Sequence, residues 1–447
     1  MTLPILSAAL EHPGQLAYED ADTQLTYQEL CATLEGLSAE PWASFHQGDH
    51  VAWCPENNAE ALRTFWAIIS RGCVACPLSH RFPNSTRNEI LERIDACWLP
   101  SDTIEMGPRH PQNHPLPTSD ADLKQPSTII LSSGSTGTPK AVVHSMAAHI
   151  ASAEGAATNM PLLPGDRWLW SLPLCHISGL SIVIRCAVSG ATIVGMPDKE
   201  KLTAGLLCER KITHLSVVAT QLRRLLSEDN FPSPHLKFVL LGGSSIDPAL
   251  VRTSRRRGID VFTTYGLTEM ASQVTTSSSN GAPEKSGNVL PGRELKIDDS
   301  GEIHVRGETL CLGYYRDGQV QSVVNERAWF LTGDLGSLDD SGQLTVQGRL
   351  DNMFISGGEN IHPENIERAM MNAFGLQQVI VVPKPDDTFG ARPFAFVDGK
   401  LPANWQTTLK SFLSGFEIPI EARAWPGDAK LAIKADRKQL QALVRSS

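Results

Sequence analysis

The sequence has no apolar run approaching the roughly 18 residues that a membrane span requires, and residues 1–4 have no basic stretch leading into an apolar one. Neither a membrane anchor nor a secretory leader is expected, and the chain reads as cytoplasmic. It also lacks a positive balance: 39 Lys and Arg against 49 Asp and Glu give a formal net charge of −10. A broad nucleic-acid footprint is excluded, and any anionic ligand must be met locally. The one dense basic run, Arg255-Arg256-Arg257, follows an expected helix start near Pro248 and reads as its solvated end. Nine cysteines are scattered without paired spacing, which excludes a disulfide framework. Cys73 and Cys76 form a C-x-x-C with no second pair to complete four zinc ligands. Internal repeats and low-complexity segments are absent as well.

Two catalytic signatures are missing from the most polar loop, Ser132, Ser133, Gly134, Ser135, Thr136, Gly137, Thr138, Pro139 and Lys140. A P-loop needs G-x-x-x-x-G-K-[ST] before a helix, whereas Lys140 follows Pro139 and leads into Ala141-Val142-Val143. A nucleophile elbow needs G-x-S-x-G, and Ser133 stands where the first glycine should be. What the loop does have is hydroxyls, glycines and one cation between two apolar runs, 128–131 and 141–143. It reads as a phosphate-holding connection between two strands, with a hydroxyl-rich surface hairpin as the plain alternative.

At 447 residues, 41% hydrophobic and 20% charged, the chain has room for two to four domains. Thr26 and Glu29 are spaced as a capping box. Strands at 51–54 and 73–77 flank a helix at 58–70, and 101–125 reads as a connecting loop. Beyond the polar loop come a strand at 168–172, an apolar helix carrying Arg185, strands at 191–194 and 214–218, and a helix at 202–210. Strands 238–241 and 261–264 run into the polar loops 242–245 and 265–269. Such alternation predicts a parallel, helix-flanked sheet that binds ligand beyond the carboxyl ends of its strands. Short alternating strands from 287 to 335 predict a small β-subdomain. A boundary falls at 348–351, followed by a helix at 363–374 and strands at 379–382 and 394–397.

The ordered series of Ser132–Lys140, Tyr265–Glu269, Phe330–Leu335, Gly348-Arg349 and Lys434 resembles the adenylate-forming, AMP-binding ligase superfamily, over residues 25–440. The resemblance implies an α/β fold. A large N-terminal domain of helix-flanked sheets plus a small β-subdomain (1–349) precedes a small mobile α+β C-terminal domain (350–447) carrying the catalytic lysine. It implies ATP, Mg²⁺ and coenzyme A. Ser132 to Gly137 and Lys140 would cradle the β- and γ-phosphates, with Thr136 also assisting catalysis. Glu269 would bind Mg²⁺. Tyr265 would stack on adenine, Gly243, Ser244 and Ser245 would line it, and Gly266, Leu267 and Thr268 would complete that wall. Asp334 and Arg349 would grip the ribose. Lys434, in Ile433-Lys434-Ala435-Asp436-Arg437, would stabilise charge as the acid attacks the α-phosphate, with Lys430 as the competing lysine. Asp351 would be the hinge, and Gly357 and Gly358 would line the thiol channel.

Residues 354–361, 175–180 and 213–222 look most like the o-succinylbenzoate–CoA ligase subfamily of menaquinone biosynthesis, although Ala219 replaces its usual proline. The expected acyl site comprises Arg185, His176, Thr220, Leu222 and Gly243. Arg185 is the only charge on its apolar helix, so it should either meet the substrate's second carboxylate or keto oxygen, or reach solvent or a structural carboxylate. His176 would position or gate. A synthetase for another carboxylic acid, a stand-alone enzyme that loads a carrier protein and a non-catalytic nucleotide sensor remain as alternatives. The expected partners are small molecules, with no nucleic acid or membrane insertion, and homo-oligomerisation is left open.

Overall fold

The computed structural model describes residues 2–34, 42–100, 123–132, 139–196, 201–243, 247–425 and 437–445. Among them, one sheet has nine strands in the order Asn288–Val289, Ser272–Thr276, Val261–Leu267, Phe238–Leu241, His214–Val217, Arg167–Leu169, Thr192–Val194, Leu16–Glu19 and Gln24–Thr26. The six from Val261–Leu267 to Leu16–Glu19 run parallel, as continuous apolar runs separated by helices require. A seven-stranded sheet has the order Gln319–Gln321, Gly313–Arg316, Lys140–Ser145, Pro126–Ser132, Val74–Pro77, His50–Trp53 and Ala96–Trp98. Its last four strands are parallel, and the rest are antiparallel.

The principal core joins strand and helix residues from both sheets, with Trp53, Trp66, Trp168 and Trp170 fully buried alongside helix Ile177–Ser189. That helix ends at Gly190, whose φ of 69° gives the left-handed cap a side chain would resist. At the N-terminus the capping box forms: Thr26 Oγ1 accepts from Glu29 N–H, and the Glu29 carboxylate accepts from Thr26 N–H. Asn58 caps helix Ala59–Ser70 through the Ala61 amide.

A four-stranded antiparallel sheet, Arg293–Ile297, Glu302–Gly307, Phe330–Leu338 and Leu344–Arg349, is the expected β-subdomain. Beyond it, hairpin Phe354–Ser356/Glu359–Ile361, helix Pro363–Phe374 and strands Val379–Asp386, Gly390–Val397 and Glu421–Ala424 enclose a separate apolar cluster that includes Ile366, Met370 and Val381. Among the described residues no helix is long and apolar enough to cross a membrane.

Three expectations change. The strand over 168–172 stops at Leu169, because the Trp170 and Leu172 carbonyls accept from Asn57 Nδ2 instead, each at 2.8 Å. The strand over 261–264 continues to Leu267, because Ser272–Thr276 pairs back along it. The Arg255 end of helix Pro248–Arg256 is not simply solvated, since its guanidinium donates to the Gly281, Ser278 and Val261 carbonyls.

Tyr27 fastens the N-terminal segment to helix Ile177–Ser189. Its buried hydroxyl donates within 2.7 Å of the Cys186 carbonyl and 2.6 Å of the Ala191 carbonyl. Tyr27→Phe is expected to lower unfolding stability by about 1–3 kcal/mol, the cost of a buried acceptor losing its donor. Urea unfolding measures it, and a loss within error of zero would refute the fastening role.

Candidate active site

Three groups of expected site residues hang on one hairpin, Val261–Leu267 paired with Ser272–Thr276. Gly266 lets its strands approach, since a Cβ there would stand 1.9 Å from the Ser272 carbonyl oxygen. Thr268–Met270 forms a short 3₁₀ turn that closes through Ala271 and Ser272, both at positive φ. Such a tight closure fixes Tyr265, Glu269 and Gln273 relative to one another. Three neighbours pin it: the Ser152 hydroxyl donates to Ala271 O (2.7 Å), Cys311 N–H donates to Glu269 O (2.7 Å), and His144 Nε2 donates to Thr268 O (2.7 Å).

At the first group, the Tyr265 hydroxyl donates to Asp334 Oδ2 at 2.7 Å. Arg349 Nη1 donates to Asp334 Oδ1 at 3.0 Å, and Arg349 Nε donates to Asp351 Oδ1 at 3.0 Å. Four expected residues thus form one continuous network. Burial, reinforced by the Asp334 charge, pushes the Tyr265 phenol well above its ordinary range, so it stays a donor. Burial also raises Asp334, and the Arg349 charge opposes that. Tyr265 is itself 8% exposed, so only a small part of its surface is open to a base.

The second group centres on Glu269, which is buried. The Tyr314 hydroxyl donates to its Oε1 at 2.7 Å, and Lys140 Nζ lies 3.4 Å from the same hydroxyl and 4.9 Å from the ring centre. Burial and the Glu269 charge hold the Tyr314 phenol above its usual range. Glu269 Oε2 receives no hydrogen bond from the described residues, leaving a hard carboxylate oxygen suited to a divalent cation that takes its other ligands from phosphates and water. The sequence reading missed Tyr314, because antiparallel pairing of Gly313–Arg316 with Lys140–Ser145 brings it 174 positions to Lys140.

The third group is Arg185. It is 4% exposed, and its guanidinium donates to Gln273 Oε1 at 2.6 Å and lies 5.3 Å from the Trp168 ring centre. Among the described residues no carboxylate pairs with it, its Nε has no partner, and solvent is out of reach. Burial, together with the nearby Arg293 charge, lowers its pKa to about 9, so the cation persists at neutral pH.

The remaining expectations divide. Ser132 pairs across from Lys140, so the two flank a hairpin connection as foreseen, but Ser133, Gly134, Ser135, Thr136, Gly137 and Thr138 lie outside the described residues, as do Ser244, Ser245 and Lys434. Gly243 is exposed, with φ at 80°. His176 is exposed at the N-cap of the Arg185 helix. Thr220 is exposed, whereas Leu222 is wholly buried in the apolar cluster around Leu215 and Leu225. That assigns Leu222 to the core rather than to an acyl site, because its helix turns the leucine face towards the sheet. Gly357 and Gly358 form a tight hairpin turn at φ values of 60° and 91°.

The AMP-binding enzyme family matches residues 6–315. This chain belongs to that family. The 2-succinylbenzoate–CoA ligase of Salmonella typhimurium is 37% identical over 94% of this chain and 93% of its own length. The o-succinylbenzoate CoA synthetase (MenE) from Bacillus subtilis in complex with the acyl-adenylate intermediate OSB-AMP superposes with a TM-score of 0.89 at 26% identity, over 99% of this chain and 98% of that one. The same protein in complex with ATP and magnesium ion gives 0.87 at 26% identity, over 95% and 96%.

For an AMP-binding enzyme, His144 is the residue that sequence reasoning should have caught, as a lone histidine in the apolar strand Lys140–Ser145. It is fully buried, and burial lowers its pKa to about 4, partly opposed by its bond to Thr268. His149, packed beside it and bonded to the Thr128 hydroxyl, is likewise held well below its ordinary value by burial and by His144. Both rings are neutral in the folded chain, whereas the unfolded chain takes up protons below the ordinary value of 6.5. Stability should therefore fall as pH drops from about 6.5 to about 4, by up to about 1.4 kcal/mol per pH unit for each ring. His149→Gln should flatten that slope in urea unfolding, and an identical slope in the variant would contradict the assignment.

Proposed function

We propose that this chain adenylates o-succinylbenzoate with ATP and passes the acyl group to coenzyme A, releasing AMP and pyrophosphate, as a step of menaquinone biosynthesis. The observation that carries the substrate is Arg185, a buried guanidinium whose close partner is a neutral amide. Burying an unpaired cation is costly, and a second carboxylate or keto oxygen on the acid offsets that cost. A simple fatty acid offers no such group, and an amino-acid substrate would bring a second cation. A sensor without catalysis would not need Glu269, Asp334 and Lys434 together.

In the first half-reaction an oxygen of the succinyl carboxylate attacks the α-phosphorus and the pyrophosphate oxygen leaves. Lys434 is the lysine we assign to the developing negative charge, a task suited to a point charge on a flexible stem. The loop 132–140 holds the departing phosphates, with Lys140 steadied against Tyr314. Glu269 would hold Mg²⁺ through Oε2, supplying charge neutralisation between phosphate oxygens. Asp334, oriented by Tyr265 and Arg349, accepts from the ribose diol. His176 positions the acyl group, and Thr220 and Gly243 are its further contacts in this reading. In the second half-reaction the CoA thiolate attacks the acyl carbonyl and AMP leaves. Residues 350–447 act as a separate small domain that turns about Asp351 between the two steps, bringing Gly357 and Gly358 to the thiol channel. The Arg349–Asp351 ion pair ties that hinge to the ribose carboxylate.

CoA-dependent AMP release across o-succinylbenzoate, benzoates, fatty acids and amino acids tests the substrate. Turnover should be confined to o-succinylbenzoate, and Arg185→Ala should raise its KM by about 10- to 100-fold, the worth of one charge-assisted hydrogen bond, with the KM for ATP nearly unchanged. Turnover of a fatty acid with none of o-succinylbenzoate, or an unaltered KM in the variant, would overturn the assignment.

A further inference from the structure

The hairpin Arg293–Ile297/Glu302–Gly307 gathers three ligand-type side chains that the proposed reaction does not use. Asp298 lies in its turn, and Glu302 and His304, two positions apart on one strand, share a face. All three offer ligand atoms within 4.8 Å of one another. His304 Nε2 stands 3.4 Å from Asp298 Oδ2 and 3.7 Å from Glu302 Oε2. His304 is 8% exposed, and neither ring nitrogen has a hydrogen-bond partner among the described residues. Buried ring nitrogens are normally satisfied, so an imidazole aimed between two carboxylates without bonding either calls for something between them.

We propose that Asp298, Glu302 and His304 bind a divalent cation of the zinc class, at a site separate from the Mg²⁺ position at Glu269. Ligands about 2.0–2.2 Å from a tetrahedral ion stand about 3.3–3.6 Å apart; the His304–Asp298 separation of 3.4 Å falls within that range and the His304–Glu302 separation of 3.7 Å lies just beyond it. One neutral nitrogen and two carboxylate oxygens balance a double positive charge. The imidazole favours zinc over magnesium, and water completes the fourth position. The opposite oxygen of each carboxylate is already held. Asp298 Oδ1 accepts from Ser300 N–H (2.9 Å), the Ser300 hydroxyl (2.7 Å) and Glu302 N–H (2.9 Å), and Glu302 Oε1 accepts from Gly333 N–H (2.8 Å). Such outer bonds aim the free oxygens inward.

The bond from Gly333 gives the ion a role. Gly333 immediately precedes Asp334, and Glu302 pairs with Leu335 across the sheet. A cation on Glu302 therefore braces the strand that presents the ribose-gripping carboxylate.

Metal-free full-length chain is titrated with Zn²⁺ against a chromophoric chelator, beside His304→Gln and Asp298→Asn. Glutamine can donate to either carboxylate, and asparagine keeps the turn bonds at Oδ1, so both variants should fold, as circular dichroism checks. The wild type should take up one Zn²⁺ that each variant holds about 100-fold more weakly or worse. Zn²⁺ should raise the Tm of the wild type alone, and Co²⁺ should give it a tetrahedral absorption band. No uptake by the wild type, or equal uptake by His304→Gln, as exposed thiols such as Cys97 and Cys208 would produce, would overturn the proposal.

Discussion

Two phenol–carboxylate hydrogen bonds, Tyr265 to Asp334 and Tyr314 to Glu269, both at 2.7 Å, are the constraint on which the site depends. Each phenol is held protonated by burial and by the carboxylate it faces, so each carboxylate is oriented: Asp334 is held at both oxygens, by Tyr265 and by Arg349, while Glu269 is held at Oε1 and keeps Oε2 without a bond from the described residues. Both pairs are anchored in the hairpin Val261–Leu267/Ser272–Thr276 or its turn, and the same hairpin supplies Gln273 to Arg185. The residues proposed to meet the nucleotide, the metal and the acyl group are therefore spaced by a single rigid element. Its rigidity comes from the close strand approach at Gly266 and from clamps by His144, Ser152 and the Cys311 amide.

Two buried guanidiniums lie near this hairpin, and their surroundings differ. Arg293 donates to the Gln273, Pro291 and Ser152 carbonyls and to the Ser152 hydroxyl, and burial lowers it only to about 10. It is a structural tie between strand and helix Met146–Ala157. Arg185 makes one short bond, feels the repulsion of Arg293 and leaves its Nε unmatched. The protein thus holds a satisfied cation beside an under-satisfied one, an arrangement that favours an anion at Arg185 over one at Arg293.

Much of this was legible in the sequence, because local chemistry signals its own partners. Thr26 and Glu29 announced a capping box, Ser132 and Lys140 the ends of a strand-to-strand connection, and the ordered motifs a family of ligases that make acyl-CoA from acid, ATP and thiol. What stayed hidden was pairing between distant segments. Tyr314 reaches Glu269 because Gly313–Arg316 joins the edge of the strand that begins at Lys140, and no local pattern around Tyr314 encodes that. Gln273 read as one polar residue among many. Leu222 was placed beside the acyl group by its neighbourhood in the motif, yet helix geometry sends it to the core while Thr220, two positions earlier, faces out. Asp298, Glu302 and His304 carry an alternation that a metal-ligand search of the β-subdomain could have found.

The central claim is that one site performs an adenylation that needs no thiol, with the acid chosen by Arg185 and the phosphates met at Glu269 and Lys140. Isotope exchange between pyrophosphate and ATP measures that step alone. With Mg²⁺, ATP and o-succinylbenzoate but no coenzyme A, exchange should proceed. It should stop when the acid is omitted. Exchange that requires coenzyme A, or that runs equally well without the acid, would contradict the account.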